Sequence, residues 1–341
     1  MSIKSKKSKK EIPELRQDLV SDDWILLAPG RARRPELAVS KKQKSEKISK
    51  IDCPFDNPQK FGNQPPVLVY QNKTGSDWFL QVISNKYPAV EPGNCSPARK
   101  TGLYKLREGR GDHEVIILRD HNKHISEYEK EDLKLLFLAY QERYKSLGNK
   151  KCIESISIFH NYGKEAGASV PHPHSQILAL PIVPPDVSRS VRGSRDFFHR
   201  HHKCVHCLMI EYELKNKKRI VFENKNAVIL APYTSHSNFE LRIFPKKHSA
   251  FFERVNGNGE ELLDMAQALH VALAKIYKNL QNPSFNFFLH TAPAIKNLDY
   301  GHYHWHLEIL PKTSIFGGFD IGTGIDIITI PPETAAKILR E

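Results

Sequence analysis

Apolar side chains recur along the chain with two periods, and each period predicts its own kind of element. Over EYEKEDLKLLFLAYQERYKSL, Leu133, Leu136, Phe137, Tyr140 and Tyr144 fall on one helical face, and ELLDMAQALHVALAKIYKNL repeats that arrangement farther on. Both stretches read as amphipathic helices. Around the first of them, WILLA, DWFLQVISNKYPAV, HEVIILRDH, SISIFHN and QILALP are short apolar or alternating runs, and around the second KNAVILAPY, NFELRIFPKKH, FNFFLHTAP and HYHWHLEILP do the same. These predict strands. Pro, Asn and Gly crowd CPFDNPQKFGNQPP, which predicts irregular chain.

The two halves run through one order of features: a cysteine loop, a strand leading to a histidine, a long helix, a strand, then H-x-H-x-[QE]-I-L with proline close behind. His121 precedes His172 by 51 residues, and His248 precedes His304 by 56. An internal duplication is the simplest account of this. The expected fold class is α+β, with each half a helix packed on a small, mostly antiparallel sheet. At 341 residues the chain accommodates two such units. They are placed at 13–190 and 191–341, behind a basic tail at 1–12 that is expected to be disordered.

Charge and cysteine content narrow the classes of function. The formal net charge is +13, much of it in MSIKSKKSKK and in KKQKSEKISK at 41–50. Lysine blocks of this kind read as solvated segments, and no basic patch interleaved with aromatic residues is present to stack bases. Nucleic acid is therefore disfavoured as a partner, whereas a phosphate-rich small substrate suits a basic protein. No run of 18 apolar residues exists and the first 17 residues carry no apolar signal region, so no membrane association is expected and the cytoplasm is the expected compartment. Five cysteines, an odd number, argue against a disulfide framework, with Cys95 and Cys152 isolated.

Two groups of residues carry candidate chemistry. In GKEAGASVPHPHSQ, His172 and His174 stand at i and i+2 on an extended segment, so both rings can face one site, and Pro173 stiffens their spacing. The preceding glycines and small side chains permit backbone N–H groups to approach an oxyanion. An imidazole beside a phosphate suggests a histidine nucleophile on phosphorus. Cys204 and Cys207 offer two thiolates at zinc spacing, with His248 and a histidine of HYHWH to complete a tetrahedral site. Cys53 and Asp56 are the first-half counterpart, with one thiolate replaced by a carboxylate.

RQDLVSDDWILLAPGRARRP, CPF, VISNKYPAV, HNYGKEAGASVPHPHSQ, FNFFLHTAP, HYHWHLEILP and GGFDIGTGIDIITIPPETAAKIL together resemble the galactose-1-phosphate uridylyltransferase family. This is the two-domain transferase branch of the histidine triad superfamily, and ADP-glucose phosphorylases look similar on the same scaffold. The resemblance implies that His174 is the nucleophile, that Gln176 hydrogen-bonds the phosphoryl oxygens, and that Arg31, Arg34, Asn85 and Asn161 contact the nucleotide. It further implies a phosphate loop at Gly167, Ala168 and Ser169, and a C-terminal segment, with Phe319 and Gly322, near the sugar phosphate. Zinc is implied at one or two structural sites, Cys53, Asp56, His121 and His172 in the first half and Cys204, Cys207, His248 and His304 in the second. A homodimer is implied as well.

The reaction so implied is ping-pong transfer between a nucleotide sugar and a sugar 1-phosphate: UDP-glucose loads a uridylyl group on His174, and galactose 1-phosphate takes it. Adenylyl transfer from ADP-glucose to phosphate is the alternative on the same scaffold, and a zinc-stabilised nucleic-acid-binding module is the remote one. His306 and Glu308 occupy in the second half the positions of His174 and Gln176. A glutamate there would repel a nucleotide phosphate, so a second active site is not expected.

Overall fold

The computed structural model describes residues 12–33 and 48–341. Arg34, most of the lysine-rich 41–50 stretch and the expected tail up to residue 11 lie outside the described residues. In chain order the first half runs β1 (Glu14–Gln17), β2 (Trp24–Leu27), β3 (Leu68–Gln71), β4 (Trp78–Ser84), β5 (Arg99–Thr101), β6 (Tyr104–Leu106), β7 (Asp112–Leu118), α1 (Lys130–Gly148), β8 (Ser155–Tyr162) and β9 (His174–Leu180). Helices α2 (Pro185–His201) and α3 (Val205–Asn216) lead into β10 (Ile220–Glu223), β11 (Ala227–Leu230), β12 (Leu241–Pro245) and α4 (Glu260–Asn279). Then come β13 (Phe285–His290), β14 (His306–Pro311), α5 (Gly318–Thr323), β15 (Asp326–Ile328) and α6 (Pro332–Arg340).

Ten strands form one sheet in the order β10-β11-β12-β14-β13-β8-β9-β7-β4-β3. Every pairing in it is antiparallel. Read outward from its centre, β8, β9, β7, β4 and β3 on one side meet β13, β14, β12, β11 and β10 on the other in the same order. The expected small sheets are thus fused into one, because β8 and β13 pair from Ile158↔Leu289 to Tyr162↔Phe285, with Asn161↔Asn286 between them. The expected division at residue 190 falls within α2.

Alternation along the strands sorts the two faces of this sheet. Ile156, Ile158, Ile177, Ala179, Phe285, Phe287, Leu307 and Ile309 turn to one face, where α1 and α4 pack against each other and close a single large core. His174, Gln176, Asn161, Asn286, His306 and Glu308 alternate with them and take the opposite face. A smaller sheet, β1-β2-β15, sits apart, with β15 parallel to β2. Val20, between β1 and β2, packs on Phe197 of α2 and Val205 of α3. Among the described residues no helix is long and apolar enough to cross a membrane.

Three local expectations change. Cys204 and Cys207 do not lie in a loop: Cys204 caps α3 and Cys207 sits in its first turn, where residues three apart share a face. Cys95 and Cys152 are not isolated but joined by a disulfide between the segment after β4 and the turn after α1. The odd total misleads because the other three cysteines are free and serve different groups. Within CPFDNPQKFG, Pro58–Phe61 forms a 3-10 turn closed by Gly62 in the left-handed region, φ 77°.

Candidate active site and metal centres

His174 opens β9 and is buried. Its Nδ1 lies 2.8 Å from the backbone oxygen of His172, and a carbonyl only accepts, so Nδ1 carries the proton and Nε2 keeps its lone pair. The intervening Pro173 fixes its own φ and so stiffens the turn that brings the ring back to that carbonyl. Burial pushes the imidazole below its ordinary value, the carbonyl bond working the other way. Phe55, of the CPF motif, packs edge-on against the ring with centroids 4.9 Å apart.

Gln176 and Asn161 share the face of His174. Asn286 on β13 donates through Nδ2 to Asn161 Oδ1 and to Ala166 O, both at 2.8 Å, so Asn161 keeps its NH2 for other partners. That NH2 stands 3.9 Å from where a Cβ on Gly167 would lie. Gln176 Oε1 is 2.8 Å from His113 Nε2 on β7. Neither Asn286 nor His113 is singled out by the sequence motifs. Each reaches the site only through strand register, Asn286↔Asn161 and Val115↔Gln176.

The loop 163–169 is tighter than expected. Gly163 and Gly167 both take positive φ, 83°, and the N–H groups of Gly167 and Ala168 donate inward to Lys164 O and Gly163 O. Of the three expected phosphate-binding amides, Ser169 N–H alone has no such bond among the described residues. The loop's own 3-10 turn, Lys164–Ala166, consumes the others. Asn85 follows β4 and contacts His113. Arg31 is exposed on the 3-10 turn Pro29–Arg33. Phe319 and Gly322 lie on exposed α5, beside β15, with no hydrogen bond or ring contact to the His174 group among the described residues.

Two clusters have the donor chemistry of a metal centre. In the first half, His121 and His172 pass their Nε2 protons to Ile48 O at 2.8 Å and Leu118 O at 2.6 Å. Their Nδ1 atoms face each other at 3.1 Å, with Cys53 Sγ 3.5 Å from His172 Nδ1. Burial brings His172 down to about 4, which keeps the ring neutral, and burial raises the Cys53 thiol. In the second half, His248 and His304 pass Nε2 protons to Gly301 O and Pro245 O, each at 2.9 Å. Both Nδ1 atoms face Cys207 Sγ, at 3.3 and 3.4 Å. Here the Cys204 thiol is pulled well down, first by its hydrogen bond with Cys207 and then by His248 and His304. Lone pairs converging in this way could hold a metal ion, and imidazoles that give their other N–H to a carbonyl are the usual arrangement in such sites.

The two clusters are not equal. Cys204, Cys207, His248 and His304 converge as four donors, whereas among the described residues of the first half Cys53, His121 and His172 converge as three. Asp56, expected as the fourth ligand, stands 3.8 Å from His121 Nδ1 and gives its carboxylate to Arg119 at 3.4 Å. The guanidinium of Arg119 and the imidazole of His121 thus share this carboxylate.

The second-half counterpart of the His174 site is closed by charge. His306 Nδ1 again meets a carbonyl two residues back, His304 O at 3.1 Å. Glu308, however, is buried and bonded to Arg242 at 3.0 Å, with His306 at 3.3 Å and His290 at 3.6 Å. Arg242 also pairs with Glu240 at 3.0 Å. His290, His306 and Glu308 form a third group of potential donors, but one whose carboxylate is already compensated.

An antiparallel α+β body with a buried, tautomer-locked histidine beside amide donors and a glycine-rich loop defines an enzyme of the nucleotidyltransferase class. Residues 4–184 match the family model described as galactose-1-phosphate uridyl transferase, N-terminal domain, and residues 203–316 match one described as scavenger mRNA decapping enzyme C-term binding. An ADP-glucose phosphorylase of Arabidopsis thaliana is 34% identical over 96% of this chain and 93% of its own. A galactose-1-phosphate uridylyltransferase of Thermotoga maritima is 28% identical over 96% and 98%. The crystal structure of the Arabidopsis thaliana ADP-glucose phosphorylase with bound ADP-glucose superposes with a TM-score of 0.81 at 31% identity, covering 97% of this chain and 99% of that one. The chain belongs to the galactose-1-phosphate uridylyltransferase family.

Proposed function

We propose that the protein transfers a nucleotidyl group by a ping-pong route in which His174 is the carrier. The observation that supports this most is the 2.8 Å bond from His174 Nδ1 to His172 O, which leaves Nε2 as an aimed lone pair. In the first half-reaction Nε2 attacks the α-phosphorus of a nucleoside diphosphate sugar. An N–P bond forms, the bridging P–O bond breaks, and its electron pair leaves on the sugar 1-phosphate. In the second, a phosphate oxygen of the acceptor attacks the same phosphorus and the N–P pair returns to Nε2. Gln176, the NH2 of Asn161 and Ser169 N–H stabilise the charge that develops on the non-bridging oxygens; removing one such donor costs about 10²- to 10³-fold in rate. Arg31, with Arg34, Asn85, Phe319 and Gly322, is assigned to nucleotide and sugar-phosphate binding on resemblance alone.

Uridylyl transfer from UDP-glucose to galactose 1-phosphate is the first reading. Adenylyl transfer from ADP-glucose to phosphate is the second, and the greater identity to the ADP-glucose phosphorylase favours it. Both use the same phosphorus chemistry and differ in base and acceptor. Zinc fits the four donors Cys204, Cys207, His248 and His304, where it would tie α3 to the start of β14, and more weakly the three of the first half. A closed four-ligand site has no open position for substrate, so its contribution would be structural. Division into two duplicated domains and assembly as a homodimer belong to the same proposal.

Intact-mass spectrometry after separate incubation with ADP-glucose and UDP-glucose tests it. An added AMP or UMP, lost in His174→Gly, is the expected result and names the base. An adduct that persists in His174→Gly rules out His174 as the carrier.

A further inference from the structure

His113 holds an unusual place in the fold. It lies on β7, diagonal to Gln176 of β9, on the same face of the sheet. Its backbone oxygen accepts from Asn85 N–H at 2.7 Å. Its ring touches three groups: Ala89 N–H at Nδ1, 3.1 Å, Gln176 Oε1 at Nε2, 2.8 Å, and Asn85 Nδ2. The backbone amide of Ala89 can only donate, so Nδ1 accepts and Nε2 bears the proton. An Nε2–H then requires an acceptor, which fixes the Gln176 amide with its oxygen toward His113 and its NH2 away.

Asn85 does not compete for that proton. Its own oxygen accepts from Tyr87 N–H at 2.9 Å. Its Nδ2 stands 3.2 and 3.5 Å from the two ring nitrogens at once, which places it over the ring face, where an N–H meets the π cloud. Asn161 is arranged on the same principle, its oxygen occupied by Asn286 and its NH2 making no hydrogen bond among the described residues. The site therefore holds both of its amides by the oxygen end.

We propose that His113 is a positioning residue for nucleotidyl transfer, one that locks Gln176 so that an N–H donor and never the amide oxygen faces the transferring phosphoryl. It also ties that donor to the 85–89 turn, so the orientation of Gln176 depends on the placement of the loop assigned to the nucleotide. This role rests on the reading of His174 as carrier. Without His113 the two amide ends become equivalent and the side chain regains its rotamers, and the wrong end sets two acceptors against each other.

The test measures the rate of adduct formation on His174 at saturating nucleotide sugar, using ADP-glucose and UDP-glucose. His113→Leu is expected to slow it about 10- to 30-fold, from the disorder returned to one long side chain. His113→Gln can accept from Ala89 through its oxygen and donate to Gln176 through its NH2, and is expected to recover to within about threefold of the wild type. In a Gln176→Ala background, His113→Leu should cost less than about twofold more, because its route of action is gone. Fully additive losses, or a His113→Gln no better than His113→Leu at matched melting temperature, would overturn the proposal. Imidazole 15N spectra, with His113 assigned by its loss in His113→Gln, should show the Nε2–H tautomer. An Nδ1–H tautomer overturns the positioning role even when transfer proceeds normally, whereas wild-type protein that takes no adduct from either sugar overturns the carrier reading, and this role with it.

Discussion

Replacing Asn286 by alanine separates the two halves' contributions to the site, because this residue belongs to the second half while its contacts belong to the first. One NH2 group makes two 2.8 Å bonds, to Asn161 Oδ1 and to Ala166 O. Each such bond contributes about 1 kcal/mol net. Ala166 is buried, and its carbonyl, left without a donor, adds a desolvation penalty of about 1–3 kcal/mol. Asn161 is half-buried and recovers part of its loss in water, so a total destabilisation of about 2–5 kcal/mol is expected.

The effect on rate should exceed the effect on stability in consequence. Ala166 closes the turn that presents Ser169, and Asn161 loses the partner that points its NH2 inward. A shift of about 1 Å in such groups costs about 10²-fold. Rapid-quench measurement of adduct formation on His174 with ADP-glucose or UDP-glucose, alongside thermal melting, checks both figures. Asn286→Ala with wild-type single-turnover rate would refute the bracing role, as would a loss that adds in full to that of Asn161→Ala.

Three further outcomes follow from other parts of the fold. Cys207→Ser should lower bound zinc by about one per chain and reduce the melting temperature, whereas Cys53→Ser, from a three-donor group, should change metal content less; equal losses measured by elemental mass spectrometry would contradict the ranking. Gly193→Ala on α2 should destabilise by about 1–3 kcal/mol even though alanine favours a helix, because the new Cβ would lie 1.7 Å from Val20 O; a raised melting temperature refutes the packing. His236 is the third case: burial opposes its charge, but Asp326 at 2.7 Å and then Glu240 raise it to about 9. A raised value stabilises fully below the unfolded-state value of about 6.5 and is lost as pH climbs through about 9. With the ring a third exposed, screening leaves about 1–2 kcal/mol of this. His236→Asn should therefore flatten the loss of stability between pH 6.5 and 9, and an unchanged pH profile in chemical denaturation would refute the pairing.

Much of this arrangement is written in the sequence as local periodicity, and the remainder is written only in register. The helices α1 and α4 and the eight inner strands of the large sheet follow from apolar spacing, whereas the edge strands β3 and β10 are too short to stand out, and the alternation of His172, Pro173, His174 and Gln176 already assigns the two histidines to one side. Helix α2 escapes notice because, although amphipathic, it is strongly polar and buries only Ser194 and Phe197, so a search for apolar runs passes over it. Helix α3 escapes because C-x-x-C suits a helical turn as well as a loop. His113 and Asn286 carry no motif of their own; they matter because β7 and β13 flank β9 and β8, a pairing between distant segments with no local signature.

Comparison of the halves recovers one thing that neither half shows alone. The sequence sets Glu308 against Gln176 and so argues against a second active site. The register supplies the reason the exchange is tolerated: Glu308 lies opposite Arg242, while Gln176 lies opposite Val115. A carboxylate buried without a partner is costly, and a paired one much less so. The second half therefore differs by a matched pair, not by one residue. Its counterpart of Gln176 is part of an internal ion pair, so that face braces the sheet while the uncharged amides stand beside His174.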